Sequence, residues 1–284
     1  MGALTINTNL SSLNTQRVLE LNRSQLGKSI NTLSSGVKVA GSSAELVLSE
    51  GIRSDVQALQ QGSRNLNDGL ALLRTGEGAL NEVSSILIRL RSLASQSANG
   101  TVGQDERQTV DLEYQNLLNE LDRISNTTEF RGTKLLDGSL ANSAEEHLII
   151  QLGIDSSAAN QIDLNSKVDL TEISREALNL GTSNVRSEGS AFLALNDLTS
   201  AIDAMIEIRS KAGTTEIRLS HALNNLNSQI ENLTAAVSTI RDADIAEELA
   251  TLTKNQILVQ AGVAMLGQAN LIPQAVLTLF EGVQ

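Results

Sequence analysis

The sequence predicts a mainly α protein: a long antiparallel helical bundle or coiled coil with its N- and C-termini paired, plus a small β-hairpin patch. Three observations predict it. Apolar residues recur in alternating steps of three and four toward both ends of the chain, the spacing that keeps one stripe on one side of a helix. Proline, which breaks helices, occurs once in 284 residues. Aromatic residues make up only 1% of the chain, so a core must be built of Leu, Ile, Val and Ala, which suits seams between helices.

Ile6, Leu10 and Leu13, then Leu26, Ile30, Leu33 and Val37, mark a first helix, broken by Ser34-Ser35-Gly36 and Gly41-Ser42-Ser43. Ile52, Leu59, Leu66, Leu73, Leu80, Leu87 and Ala94 then form a column at sevens and predict a helix over roughly 44–98. Its companion column reads as Val56, Ser63, Leu70 and Glu77, with Val83 and Leu90 widening the stripe, and Asn99-Gly100 gives the stop. Val110, Tyr114, Leu117, Leu121 and Ile124 mark a shorter helix.

Only the middle changes period. Leu148, Ile150, Leu152 and Ile154 alternate in steps of two, and Ile162 with Leu164 repeats this after a polar turn, a hairpin signal. Gly132 and Asp137-Gly138-Ser139 supply turns before it. Lys167 to Gly189 is polar and weakly patterned, and is expected to be a surface connection.

In the last third the stripe is Leu219, Leu223, Leu226, Ile230, Leu233, Val237 and Ile240. Upstream the same phase runs through Leu195, Leu198, Ile202, Met205 and Ala212, interrupted by Arg209 and Glu216. The phase slips between Ile240 and Ile245, beside Arg241-Asp242-Ala243-Asp244, which predicts a boundary between helices. It resumes as Ile245, Leu249, Leu252, Gln256, Val259, Val263, Leu266, Asn270, Pro273 and Leu277. Gln256 and Asn270 interrupt one column, where a polar group either fixes register or faces a wet lumen.

Chemistry is missing where motifs come close. Gly27-Lys28-Ser29 has Asn22 where a phosphate loop needs its first glycine, and Gly76-Glu77-Gly78 has Asn81 where a dinucleotide fingerprint needs another. His147 and His221 are far apart, and Glu145-Glu146-His147 is not a zinc-protease motif. Asp242, Asp244, Glu247 and Glu248 lack the spacing and glycine of a calcium loop. No catalytic residue, metal ligand or cofactor is therefore expected. A net charge of −12 argues against nucleic acid, the lack of cysteine excludes disulfides and thiolate chemistry, and no apolar run is long enough to insert in a membrane. The N-terminal residues show no signal-peptide pattern, so export would need another route.

Several stretches resemble bacterial flagellins. Leu33-Ser34-Ser35-Gly36-Val37-Lys38-Val39 is similar to their LSSG run. Arg64-Asn65 with Asn67-Asp68-Gly69, Thr75 to Glu82, Arg89 to Asn99, Asn119 to Ile124 and Glu129 to Leu136 resemble successive flagellin segments. So do Ile240 to Asp244, Gln256 to Gly262 and Gln268 to Gln274 near the C-terminus. The chain departs from the family at Ala40 to Leu46, which is shorter and lacks an acidic pair, and at Leu279 to Gln284.

The resemblance implies a structural, non-enzymatic subunit that polymerises into the flagellar filament for swimming motility, with little or no outer domain. A hook-associated junction protein and a non-polymerising coiled-coil adaptor are the alternatives. It implies residues 1–40 and 242–284 as an inner coiled-coil domain, and 41–190 with 191–241 as a surrounding shell domain. The stripes from Ile6 to Val37 and from Ile245 to Leu277 would make the inner assembly, and those at 52–87 and 219–237 the shell packing. The terminal segments should become ordered as neighbours cover them, because backbone ordering costs about 1–2 kcal/mol per residue while each buried Leu or Val contributes roughly 1.5–3 kcal/mol. Implied partners are further copies, the cap and hook-associated proteins, an export chaperone on the C-terminal helix, and a host Toll-like receptor at Arg89, Leu93 and Glu113. The implied location is the extracellular filament, reached without a cleaved signal peptide.

Overall fold

The computed structural model describes the backbone of residues 9–38 and 43–281, with side chains as far as Leu271. Ile6, the Gly41-Ser42 part of the first break and the Leu277 side chain lie outside the described residues. Helix α1 (Leu10–Ser35) starts where Asn9 Oδ1 accepts the Ser12 N–H at 3.0 Å. It ends at Gly36, whose φ of 68° is the left-handed cap that a residue without Cβ adopts freely. Helix α2 (Ser43–Ser97) and helix α3 (Gln104–Thr127) follow. Strands β1 (Glu129–Phe130) and β2 (Thr133–Lys134) make a first tight hairpin, and β3 (Ile149–Gln151) and β4 (Gln161–Asp163) a second, both antiparallel. Asp163 then caps the short helix α4 (Leu164–Val168), so Leu164 is helical rather than part of the strand. Helix α5 (Glu188–Arg241) ends and α6 (Ile245–Glu281) begins where the sequence phase slips.

The chain forms two compact units, Met1–Arg53 with Leu233–Gln284, and Ser54–Asn232. The sequence expectation divided the chain at 40/41 and 241/242 instead.

In the second unit α2 and α5 run antiparallel. Ser63 Oγ lies 3.3 Å from Asn227 Oδ1, and Arg74 Nε donates to Glu216 Oε1 at 2.7 Å. Buried positions on α2 in this unit fall at Leu59, Gly62, Leu66, Gly69, Leu70, Leu72, Leu73, Gly76, Leu80, Val83, Leu87, Leu90, Leu93, Ala94 and Ser97. The Leu column at sevens is buried from Leu59 to Leu87; of the companion positions Val56, Ser63, Leu70 and Glu77, Leu70 is buried and the other three are half-buried, and beside them Gly62, Gly69 and Gly76 form a buried column carried on by Val83 and Leu90. The same correction applies to α5. Leu198, Met205, Ala212, Leu219 and Leu226 are buried with Ala194, Ala201, Ile208 and Thr215, whereas Leu223 and Ile230 sit one residue off that column and are half-buried, as are Ile52, Leu233 and Val237. Small residues stand where a neighbouring element comes close, and a search for large apolar ones passes over them.

The glycines of α2 seat the second hairpin. A Cβ at Gly62 would collide with the Leu152 carbonyl, and one at Gly69 with the Ile150 side chain. Asn65 Nδ2 donates to the Gln151 carbonyl at 3.0 Å and holds the strand there.

Residues 167–189 are not a surface connection. Val168, Leu170, Ile173, Leu178, Leu180 and Val185 are all buried. Their irregular spacing matches neither a helix nor a strand because, between α4 and α5, the segment is a strap of turns and irregular backbone, fastened by side chains to α3. Arg175 donates through its backbone N–H and its guanidinium to Asp122 at 2.9 and 2.6 Å, Tyr114 OH meets Ser183 Oγ at 2.7 Å, and buried Asp111 accepts the Val185 N–H at 3.0 Å. Burial pushes the Tyr114 hydroxyl pKa up, despite the bond to Ser183.

Candidate assembly interface

The two chain ends meet in the first unit. Three anchors show that α1 and α6 run antiparallel: Val37 bridges Asp242, Leu19 lies against Gly262, and Asn9 Nδ2 donates to the Ala269 carbonyl at 2.7 Å. Val37 lies beyond the end of α1, in that bridge. Lys38 N–H donates to the Arg241 carbonyl at 2.8 Å, Ala243 N–H to the Gly36 carbonyl at 3.0 Å, and Arg241 pairs with Glu50. These contacts join the end of α1, the start of α2 and the α5–α6 junction.

The seam of the pair falls at Ser12, Thr15, Leu19, Asn22, Leu26, Ser29, Thr32 and Leu33 on α1, and at Glu248, Leu252, Asn255, Val259, Gly262, Leu266 and Ala269 on α6. Of the residues on the stripe read from the sequence, Leu26, Leu33, Leu252, Val259 and Leu266 lie on it. Leu10, Leu13, Ile30, Ile245, Leu249, Gln256, Val263 and Asn270 do not; they are exposed. The reason matches that in α2 and α5: one column is large and apolar, and the other is small or polar. The stripe read from hydropathy straddles the seam and the face beside it.

That outer face is strongly apolar. Leu10 is 68% exposed, and Leu13, Val18 and Leu21 stand with it on the side of α1 away from the seam. On α6, Ile245, Leu249, Ile257, Val263, Met265 and Leu271 are exposed. Among the described residues only Leu19 and Ala269 are buried apolar side chains in this unit. Exposed contiguous apolar surface on this scale marks an interaction site.

Arg89 and Glu113 form an exposed ion pair between α2 and α3, with Arg89 Nε 2.8 Å from Glu113 Oε1. Leu93, expected beside them on a receptor-binding surface, is 2% exposed and packs into the bundle, so it presents nothing to a second protein. Among the described residues no cluster of side chains could hold a metal ion, and no helix is long and apolar enough to cross a membrane.

Residues 6–141 match the family model of the bacterial flagellin N-terminal helical region, and residues 195–280 that of the bacterial flagellin C-terminal helical region. The chain is 40% identical to a flagellin of Halalkalibacterium halodurans, over 97% of this chain and 99% of that one. The chain belongs to the bacterial flagellin family. Other flagellin-family relatives include the Bacillus subtilis flagellin, 37% identical, and the flagellar filament 30.7 kDa core protein of Treponema maltophilum, 36% identical, each aligned over 97% of this chain and 99% of the relative. A crystal structure of Bacillus cereus flagellin is 36% identical and matches 61% of this chain and 94% of that one, at a TM-score of 0.49. Flagellins are structural filament proteins, not enzymes.

Proposed function

We propose that this chain is the subunit that polymerises into the bacterial flagellar filament, its paired terminal helices forming the inner tube and residues 41–241 the shell. One observation carries the reading: the two ends of the chain pair with each other and still leave an apolar face on both helices uncovered. Copies of the same chain are the simplest cover, and each Leu or Val they bury contributes roughly 1.5–3 kcal/mol. The curated relatives that span the whole chain are flagellins and filament core proteins, which favours a filament subunit over a junction protein.

The same apolar face of α6 suits an export chaperone that keeps the subunit from assembling before it leaves the cell through the flagellar secretion channel. The cap and hook-associated proteins would meet it at the filament ends. Contact with an innate immune receptor would rest on Arg89 and Glu113 alone.

Electron microscopy of purified subunits under polymerising conditions tests the reading. Long filaments from the intact chain, and none from a chain lacking residues 1–38, are expected. An intact chain that stays monomeric, or a truncated one that still polymerises, would contradict it.

A further inference from the structure

In the turn between α2 and α3, Asn99-Gly100 is the one place in the chain where glycine directly follows asparagine. The amide carbon of an asparagine side chain is open to attack by the backbone nitrogen of the next residue, and three features of this turn favour that reaction. Both residues are exposed, so water reaches them. Asn99 Oδ1 accepts the Thr101 N–H at 3.2 Å, which polarises the amide carbon and places a donor where negative charge develops as the nitrogen adds. Among the described residues the Gly100 N–H donates no hydrogen bond, so the attacking nitrogen is uncommitted, and glycine has no side chain to crowd its approach.

Asn184 is the protected counterpart. Its Oδ1 accepts the Arg186 N–H at 3.4 Å in the same local arrangement. The nitrogen that would attack there belongs to Val185, which is buried, β-branched and donates to Asp111 at 3.0 Å.

The turn around Asn99 also suits one product. Arg107 Nη2 donates to the Asn99 backbone carbonyl at 3.0 Å and the Val102 N–H to the same oxygen at 3.1 Å, while Arg107 Nε holds the Ser97 carbonyl at 2.9 Å. We propose that Asn99 is a self-modifying site, which converts to isoaspartate with Arg107 holding the new carboxylate. The Gly100 nitrogen bonds to Asn99 Cγ, the Cγ–Nδ2 bond breaks, and Nδ2 leaves as ammonia with the Gly100 proton, closing a cyclic imide. Water then adds to the former backbone carbonyl carbon of Asn99, and the bond from that carbon to the Gly100 nitrogen breaks. The chain now runs through Cγ, and the oxygen that Arg107 meets belongs to a free carboxylate. An Arg–carboxylate pair is stronger than an Arg–carbonyl bond, so this opening is favoured over the one at Cγ, which gives ordinary aspartate and leaves Arg107 on a neutral oxygen.

The full chain, incubated as free subunits at neutral to mildly alkaline pH, tests this by peptide mapping with mass spectrometry, isoaspartate being told from aspartate by its backbone fragmentation. A synthetic peptide of residues 96–103 is the reference. Asn99 in the folded chain should convert no more than about threefold slower than in the peptide, and with a larger isoaspartate share. Gly100→Ala, whose methyl group meets nothing within 4 Å, should slow conversion about tenfold or more, or about 1.4 kcal/mol of barrier, with unchanged circular dichroism. Arg107→Gln should bring the isoaspartate share down to that of the peptide, and Arg107→Lys, which keeps the charge, should retain most of it. Conversion slower than that margin overturns the proposal, as does an isoaspartate share that is no larger than the peptide's or that Arg107→Gln leaves unchanged.

Discussion

The two units differ in how completely they bury their own helices. In the central unit Leu66, Leu80, Leu87, Leu90, Leu118 and Leu121 are wholly enclosed, and the strap at 167–189 seals the bundle with Leu170, Ile173 and Leu180. In the terminal unit an equally apolar pair of helices encloses little beyond Leu19 and Ala269 among the described residues. The difference is one of neighbours rather than composition. Two lone helices cover only a narrow stripe of each other, whereas three long helices, two hairpins and a strap surround a volume. The central unit is finished by its own chain; the terminal unit, on the proposed reading, is completed by other copies.

Truncations should separate the units most sharply. Leu80→Ala should destabilise the central unit by about 2–5 kcal/mol, seen as a lower melting temperature of the free subunit. Leu13→Ala, on the exposed face of α1, should leave that melting within about 0.5 kcal/mol of the parent and instead raise the concentration needed for filament growth. Equal effects of both on melting would erase the distinction.

Two glycines of α2 sharpen it further. Gly62→Ala drives a methyl group into the Leu152 carbonyl and should cost about 1–3 kcal/mol, with loosening of the β3–β4 hairpin. Gly78 has open space around it, so Gly78→Ala should stabilise the same helix by roughly 0.5–1 kcal/mol. Chemical denaturation of the two variants checks the opposite signs.

The smallest effect concerns acid. Hydrogen bonds from the Ser157 hydroxyl and N–H hold the Asp155 carboxyl below its ordinary pKa, and the Asn142 N–H with Lys211 does so for Asp169. Burial pushes Asp163 up, but His147 and Ser166 outweigh it and the net direction is again down. Groups with lowered folded values add stability that is complete above the ordinary carboxylate pKa of about 4 and is lost as pH falls through the folded values. Amides of 148–170 should therefore lose exchange protection in that acid range before those of α2 do.

Much of this was legible in the sequence. Leu columns at sevens located α2, α5 and α6, the slip after Ile240 located their junction, and the period of two at Leu148–Leu152 located the second hairpin. The flagellin resemblance was legible too. What escaped had no hydropathy to show. Gly62, Gly69 and Gly76, or Asn255 with Gly262, are seam residues because they are small, and patterning by apolar side chains shifts the stripe by one residue at each. The strap escaped because irregular backbone carries no period, though Ile173, Leu178 and Leu180 hinted at burial. The first hairpin, four residues around Arg131-Gly132, is too short for alternation to register.

Hydrogen exchange on the free subunit and on the filament tests most directly whether the terminal unit is completed by other copies. Amides of 10–35 and 245–271 should gain far more protection on assembly than those of 59–97, which are already shielded in the free chain. Terminal amides protected equally before and after assembly would contradict the account.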